Sequence, residues 1–161
     1  MDKTYADTVR LLLAVTPAVF NNDIFAMKGG TAINLFVQDM PRLSVDIDVA
    51  YRPWQTKRDE ALQAITDELA TISRRLEPLG VQARLIRSKD LADTKLIVEN
   101  ESSQVKIEVN VVFRGTALPV EYRSLSTRTS DLFGVEFETP ILARDELYAG
   151  KLVAALDSQH P

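Results

Sequence analysis

Cysteine is absent from the chain, and with it go a disulfide framework and any thiolate zinc site. Histidine is nearly absent, since His160, the residue before the last, is the only one. A Ser-His-Asp or Cys-His nucleophilic centre, or a cluster of imidazole ligands, is therefore not expected. Carboxylates remain as metal ligands, and hard oxygen donors of that kind suit Mg2+ or Mn2+. Long apolar runs are lacking too. No stretch approaches the roughly 20 residues of a membrane span, and the segment from Leu11 to Phe20 is broken by Thr16 and Pro17. The N-terminus has no basic region followed by a cleavable apolar core, because Asp2 and Asp7 flank Lys3; the expectation is a cytoplasmic protein with no membrane partner. Positive charge is in short supply as well. The formal net charge of −4 argues against a protein that coats nucleic acid electrostatically, so any polyanion must be met locally.

What the chain does carry is the composition of an ordinary globular protein, and its 161 residues suffice for one domain with a real core. The stretch richest in chemistry runs from Met27 to Val49, MKGGTAINLFVQDMPRLSVDIDV. Its Gly29-Gly30-Thr31 turn lets backbone N–H groups approach a phosphate closely, and the apolar run Ala32 to Val37 reads as a helix starting there, adding its positive end. Pro41 and Arg42 break that helix. From Leu43 to Tyr51 the pattern alternates, with Val45, Ile47 and Val49 on one face and Ser44, Asp46 and Asp48 on the other. Aspartate is depleted in strands, so two of them at i and i+2 on one face cost stability unless something uses them, such as a shared divalent cation. A solvated outer face is the plainer alternative. Phosphate cradle and metal site together suggest a nucleotide.

The remainder reads as scaffold. Val9, Leu12, Leu13, Thr16 and Val19 make an amphipathic helix of residues Thr4 to Phe20, and Ile24 to Met27 is a short strand feeding the glycine turn. Leu62, Ile65, Leu69, Ile72 and Leu76 form a helical stripe between Thr56 and Pro78, stopped by Pro78 and Gly80. Strand-like runs follow at Val81 to Arg87, Thr94 to Glu99 and Val105 to Phe113, the last two joined as a hairpin by the turn-rich Asn100 to Ser103. In the third run Val105, Ile107, Val109 and Val111 face one way, and Lys106, Glu108 and Asn110 the other. If it lies near the aspartate strand in one sheet, Glu108 joins the face of Asp46 and Asp48. Val120 to Leu125 and Leu132 to Phe137 are weaker strand candidates, the second through the alternation of Phe133, Val135 and Phe137. Pro140 precedes a helix to about Asp157, in which Lys151 sits on or beside the apolar stripe of Leu147, Leu152, Ala154 and Ala155. Such a lysine either snorkels to water or has a task. Arg74, Arg75, Arg84, Arg87 and Lys89 form a loose basic cluster, read as a solvated face or as contacts to a nucleic-acid backbone.

Lys28-Gly29-Gly30-Thr31-Ala32 followed by Arg42-Leu43-Ser44-Val45-Asp46-Ile47-Asp48 resembles the nucleotidyltransferase toxins of the AbiEii/AbiGii type, members of the DNA polymerase β-like nucleotidyltransferase superfamily. The likeness continues in Lys106-Ile107-Glu108-Val109, where the family places its third acidic position. It continues again in Glu146-Leu147-Tyr148-Ala149-Gly150-Lys151-Leu152, whose lysine the family uses towards nucleotide phosphates. It thus spans nearly the whole chain. The fold it implies is α+β, a polymerase β-like nucleotidyltransferase fold with a mixed, mostly antiparallel sheet flanked by helices. In such proteins an Arg-Asp-x-x-Asp segment and further helical structure follow the lysine helix, whereas this sequence stops at Gln159-His160-Pro161. The expectation is one nucleotidyltransferase domain over residues 1–161 that lacks the C-terminal helical part of full-length relatives.

The function implied is metal-dependent transfer of a nucleoside monophosphate from an NTP to an acceptor hydroxyl, the tRNA 3′ end or another RNA. The setting implied is a toxin–antitoxin or abortive-infection system with a cognate antitoxin. Carried over residue by residue, Asp46, Asp48, Glu108 and Lys151 are catalytic, with Mg2+ or Mn2+ held by Asp46, Asp48 and Glu108. Lys28, Gly29, Gly30, Thr31 and Arg42 bind the phosphates of the NTP. The competing expectation is a catalytically inactive module of the same fold that binds nucleotide or a protein partner.

Overall fold

The computed structural model describes residues 3–37, 46–53, 55–87, 93–110 and 118–157, with the backbone alone for Ile33, Val37, Asp93, Asn110, Gly150, Lys151 and 153–157. Among the described residues five helices and seven strands follow one another as α1 (Lys3–Val19), β1 (Phe25–Lys28), α2 (Gly29–Ala32), β2 (Asp46–Tyr51), α3 (Arg58–Leu76), β3 (Gln82–Arg87), β4 (Asp93–Glu99), β5 (Gln104–Asn110), β6 (Glu121–Ser124), α4 (Thr127–Phe133), β7 (Glu138–Ile141) and α5 (Arg144–Asp157). A π-helical turn, Ile33–Val37, continues α2, and a 3-10 turn, Glu77–Leu79, ends α3 at Gly80 in the left-handed conformation.

The strands form one sheet in the order β3-β4-β5-β2-β1-β7-β6. Pairing is antiparallel except between β2 and β5 and between β1 and β7. This is the mixed, mostly antiparallel sheet flanked by helices that the resemblance implied. Parallel neighbours cannot be joined by a tight turn, and here the crossover from β2 to β5 is α3 followed by the β3–β4 hairpin edge.

Alternation in the central strands decides which face is buried. Ile47 and Val49 of β2, Val105, Ile107 and Val109 of β5, and Val98 of β4 are fully buried. They meet α1 and α3, whose Val9, Leu12, Val15, Ile65, Leu69 and Ile72 are likewise inaccessible. Asp46, Asp48, Lys95 and Glu108 alternate onto the opposite face and are half-buried. The sheet therefore has a helix-covered side that supplies stability and an opposite side that carries the charged residues.

One expectation from the sequence needs correction. Leu132 to Phe137 is not a strand. Ser126 caps a helix by accepting from the Thr129 N–H at 3.3 Å, Gly134 ends it at φ 64°, and strand structure resumes only at Glu138. Cap and glycine stop outweigh the alternation of three apolar residues, and Phe137 instead packs edge-on against Phe36 at 6.2 Å between ring centroids. Pro140 does precede a helix that runs to Asp157, sitting within β7, and α5 begins at Arg144.

The basic cluster also disperses. Arg75 donates to Glu68 Oε1 and to the carbonyl of Ala18, both at 2.9 Å, so it ties α3 to the end of α1. Arg74 donates to Thr71, Arg84 pairs with Glu99, Arg87 lines a recess with Asp59 of α3, and Lys89 lies outside the described residues. Glu68 is 5% exposed, so removing its partner leaves a buried carboxylate uncompensated. Arg75→Leu is expected to destabilise the fold by about 2 kcal/mol, against under about 1 kcal/mol for Glu68→Gln, which keeps an acceptor for Arg75; urea unfolding of the two variants measures the difference.

Candidate functional site

The glycine turn and the acid strand are locked to each other. β1 ends at Lys28, the chain turns at Gly29 with φ 80°, and the Thr31 side chain, fully buried, donates its hydroxyl to the backbone carbonyl of Asp46. That bond fixes the start of β2 against the turn. Only glycine fits at the corner: a Cβ on Gly29 would be driven into Asp48 Oδ2 and would stand 3.1 Å from Asp48 Cβ. The hydroxyl expected to meet a phosphate thus serves first as a strut, and the glycine expected to cradle one also makes room for a carboxylate.

Across the sheet the candidate side chains fall into a single row. Lys28 of β1 is in register with Asp48 of β2, Asp48 with Glu108 of β5, and Glu108 with Lys95 of β4. Residues paired in this way stand about 4.5–5.5 Å apart at Cβ, so two carboxylates lie side by side with a lysine at each end. Asp46, two residues before Asp48, shares the face and pairs with the exposed Lys106. The Lys95 ammonium lies 3.5 Å from Glu108 Oε1.

Burial and crowding of like charge act together on one of these acids. The Asp48 carboxyl is pushed up to about 6, first by burial and then by Glu108, with Lys28 opposing and Asp46 adding. An acid that resists ionising beside two other acids is a site short of positive charge, and its donors are all oxygens. The donor set fits a hard divalent cation, which Asp46 and Asp48 on one strand could hold. Among the described residues no three carboxylates converge on one point, and Glu108 is turned to Lys95.

The remaining expectations are placed as follows. Lys28 and Gly30 lie at the turn, and the backbone of Lys151 is in α5, which packs against α2 beside the turn. Arg42 lies outside the described residues. Lys95 was not singled out from the sequence, although the signal was there. Counting back through a hairpin closed by Asn100 to Ser103 pairs Glu99 with Gln104 and therefore Lys95 with Glu108.

Two outcomes test this geometry. Gly29→Ala should cost about 1–3 kcal/mol in urea unfolding, since strain at a positive φ adds to a clash that only movement of Asp48 relieves. For Asp48 the folded-state value lies above the unfolded one, so its contribution to stability is complete below pH ~4 and is lost as pH rises through about 6. In metal-free buffer Asp48→Asn should therefore exceed the unsubstituted chain by about 2 kcal/mol at neutral pH, and the gap should close on acidification, as denaturant melts across pH will read.

Comparison with curated proteins gives no match. A family model described as nucleotidyl transferase AbiEii toxin, type IV TA system, matches residues 10–161, a span that contains the glycine turn, both aspartates, Glu108 and the α5 lysine. With that match and a seven-stranded mixed sheet flanked by helices, the chain belongs to the AbiEii family of nucleotidyltransferase toxins of type IV toxin–antitoxin systems, a family whose members work opposite an antitoxin partner.

Proposed function

We propose that this chain transfers a nucleoside monophosphate from an NTP to an acceptor hydroxyl, with Mg2+ or Mn2+ required and the tRNA 3′ end as acceptor. The observation that carries the reading is the Asp48 carboxylate packed onto the Gly29 turn with Glu108 in register beside it. A glycine turn and a crowded acid pair, flanked by Lys28 and Lys95, occupy the same corner. Family membership supplies the transferase class, and the acceptor is brought in by analogy.

Each residue then has a physical task. Asp46 and Asp48 hold the divalent cation, which when bound neutralises triphosphate charge and lowers the pKa of the acceptor hydroxyl. The backbone at Gly29 and Gly30, with Lys28 at the turn, binds the β- and γ-phosphates. Arg42 and Lys151 are assigned to the same phosphates, so that charge developing on the leaving pyrophosphate is met by cations. Glu108 stands beside Asp48 to complete the metal set or to take the proton of the attacking hydroxyl. The acceptor oxygen bonds to the α-phosphorus, the bond from that phosphorus to the bridging oxygen breaks, and pyrophosphate leaves. NTP and tRNA as substrates put this work in the cytoplasm. No helix among the described residues is long and apolar enough to cross a membrane.

The test is incubation with each labelled NTP, Mg2+ and total tRNA. Label should appear in tRNA, and Asp46→Ala or Asp48→Ala should reduce transfer by a factor of about a thousand or more, the scale of losing a metal-held electrostatic contribution. Undiminished transfer by both variants sinks the assignment. Mg2+ should also raise the melting temperature of the unsubstituted chain at neutral pH, and the rise should vanish below about pH 6, where the Asp48 proton competes with the ion.

A further inference from the structure

On the side of the sheet away from the acid row, a recess opens between the first turns of α3 and the β3–β4 pair. Strand alternation puts it there. Thr94 pairs with Val109 of the core and with Arg87 of β3, so it faces the helices, whereas Lys95 faces the row. From α3, Asp59, Leu62, Gln63 and Thr66 line the same space at three- and four-residue steps along one helix face. The recess holds about 170 Å³, comparable with a cavity that takes benzene, so it has room for roughly six to eight non-hydrogen atoms. Its polar groups are left unused. Thr94 is 2% exposed, yet its hydroxyl makes no hydrogen bond among the described residues, a costly state for a buried donor. The Asp59 carboxylate and the Arg87 guanidinium stand on different walls, one on α3 and one on β3, and neither forms an ion pair among the described residues. Gln63 donates its amide to Asp67 Oδ1 at 2.8 Å and keeps its carbonyl oxygen as an acceptor.

We propose that this recess binds a free α-amino acid with a short side chain, at a site separate from the acid row. Both signs of charge are needed to satisfy the lining. An anion alone would be drawn to Arg87 but repelled by Asp59, and a cation alone would meet the reverse. A zwitterion answers both: its carboxylate accepts from the Arg87 guanidinium in the paired geometry that arginine favours, and also from the buried Thr94 hydroxyl. Its ammonium donates to the Asp59 carboxylate and to the Gln63 carbonyl oxygen. The volume limits the side chain to a few atoms, and Leu62 and Thr66 offer it one apolar and one hydroxyl contact. A molecule without net charge also enters without disturbing the balance between the two walls. The inference does not depend on the transferase reading, because none of these residues belongs to the glycine turn or to the acid strands.

The experiment is a titration of the full, 15N-labelled chain followed by amide chemical shifts, with glycine, L-alanine, L-serine and L-threonine as probes. Two singly charged derivatives, N-acetyl-L-serine and L-serinamide, are run beside them at about pH 6, where amino groups carry their charge. At least one of the four amino acids should give saturable shifts centred on the amides of Thr66, Arg87 and Thr94, with a Kd below about 5 mM, the scale open to a ligand of this size. Each derivative of serine should bind more than about tenfold more weakly than L-serine, since one wall then loses its partner. Arg87→Gln and Asp59→Asn, both at exposed positions that the fold tolerates, should each weaken binding of the amino acid by more than about tenfold, and Thr94→Val by about threefold or more. Absence of saturable shifts with all four amino acids overturns the proposal. So do shifts centred on the glycine turn and the aspartate strand instead, a derivative that binds as well as L-serine and so makes the recess an anion or a cation site, or affinity that survives both Arg87→Gln and Asp59→Asn.

Discussion

Parallel pairing of β2 with β5 is the constraint on which the centre depends. It sets Asp48 directly beside Glu108, and like charges in that relation repel by a few tenths to about 1 kcal/mol even before burial is considered. A sheet tolerates this only if the other side of the same strands is strongly held, and here it is. Ile47, Val49, Ile107 and Val109, which interleave with the acids, are fully buried under α1 and α3. Burying four such side chains contributes on the order of 6 kcal/mol or more, so the helix-covered face outweighs the repulsion on the open one. The long crossover through α3, β3 and β4 is the topological consequence of making the pair parallel, and it also delivers Lys95 to the far side of Glu108.

Local stability is thus given up where the chemistry is proposed to occur. Asp48 resists ionisation because burial and Glu108 oppose its charge more than Lys28 relieves it. A protein optimised only for folding would carry a neutral residue at that position, and the same reasoning applies to the glycine at the corner, whose conformational freedom in the unfolded chain works against folding. Strain, crowding and charge imbalance coincide within one turn and one strand, which is the pattern expected of a site selected for binding something positive.

Much of this was legible in the sequence, for a reason particular to strands. A period of two reports directly which residues share a face, so the alternation in residues 45–49 and 105–109 was enough to place Asp46, Asp48 and Glu108 together once the two strands were neighbours. The Asn100 turn made the β4–β5 hairpin equally readable. What was not legible depended on interactions distant in sequence or on competing local signals. The order of strands in the sheet, with β7 inserted parallel beside β1, follows from packing and has no local signature. The apolar run after the glycine turn gave no warning of widening into a π-helical turn over Ile33–Val37. Arg75 looked like a member of a basic surface and proved to be the partner of a buried glutamate on its own helix, since proximity in sequence says nothing about which way a long side chain leaves the helix.

Two short turns, rather than the strands themselves, determine the geometry of the charged row. The bond from Thr31 to the Asp46 carbonyl fixes how β2 starts relative to the glycine turn, and with it which residue of β2 stands opposite Lys28. The Asn100 turn fixes how β4 meets β5, and with it which residue stands opposite Glu108. A slip of one residue at either place would reverse the faces of a strand, sending a carboxylate or a lysine into the helix-covered core and an aliphatic side chain into the row. The buried face forbids such a slip at both strands, because Ile47 and Ile107 have no alternative place to go. The precision of the charged row is therefore a property inherited from the hydrophobic core on the opposite side of the sheet.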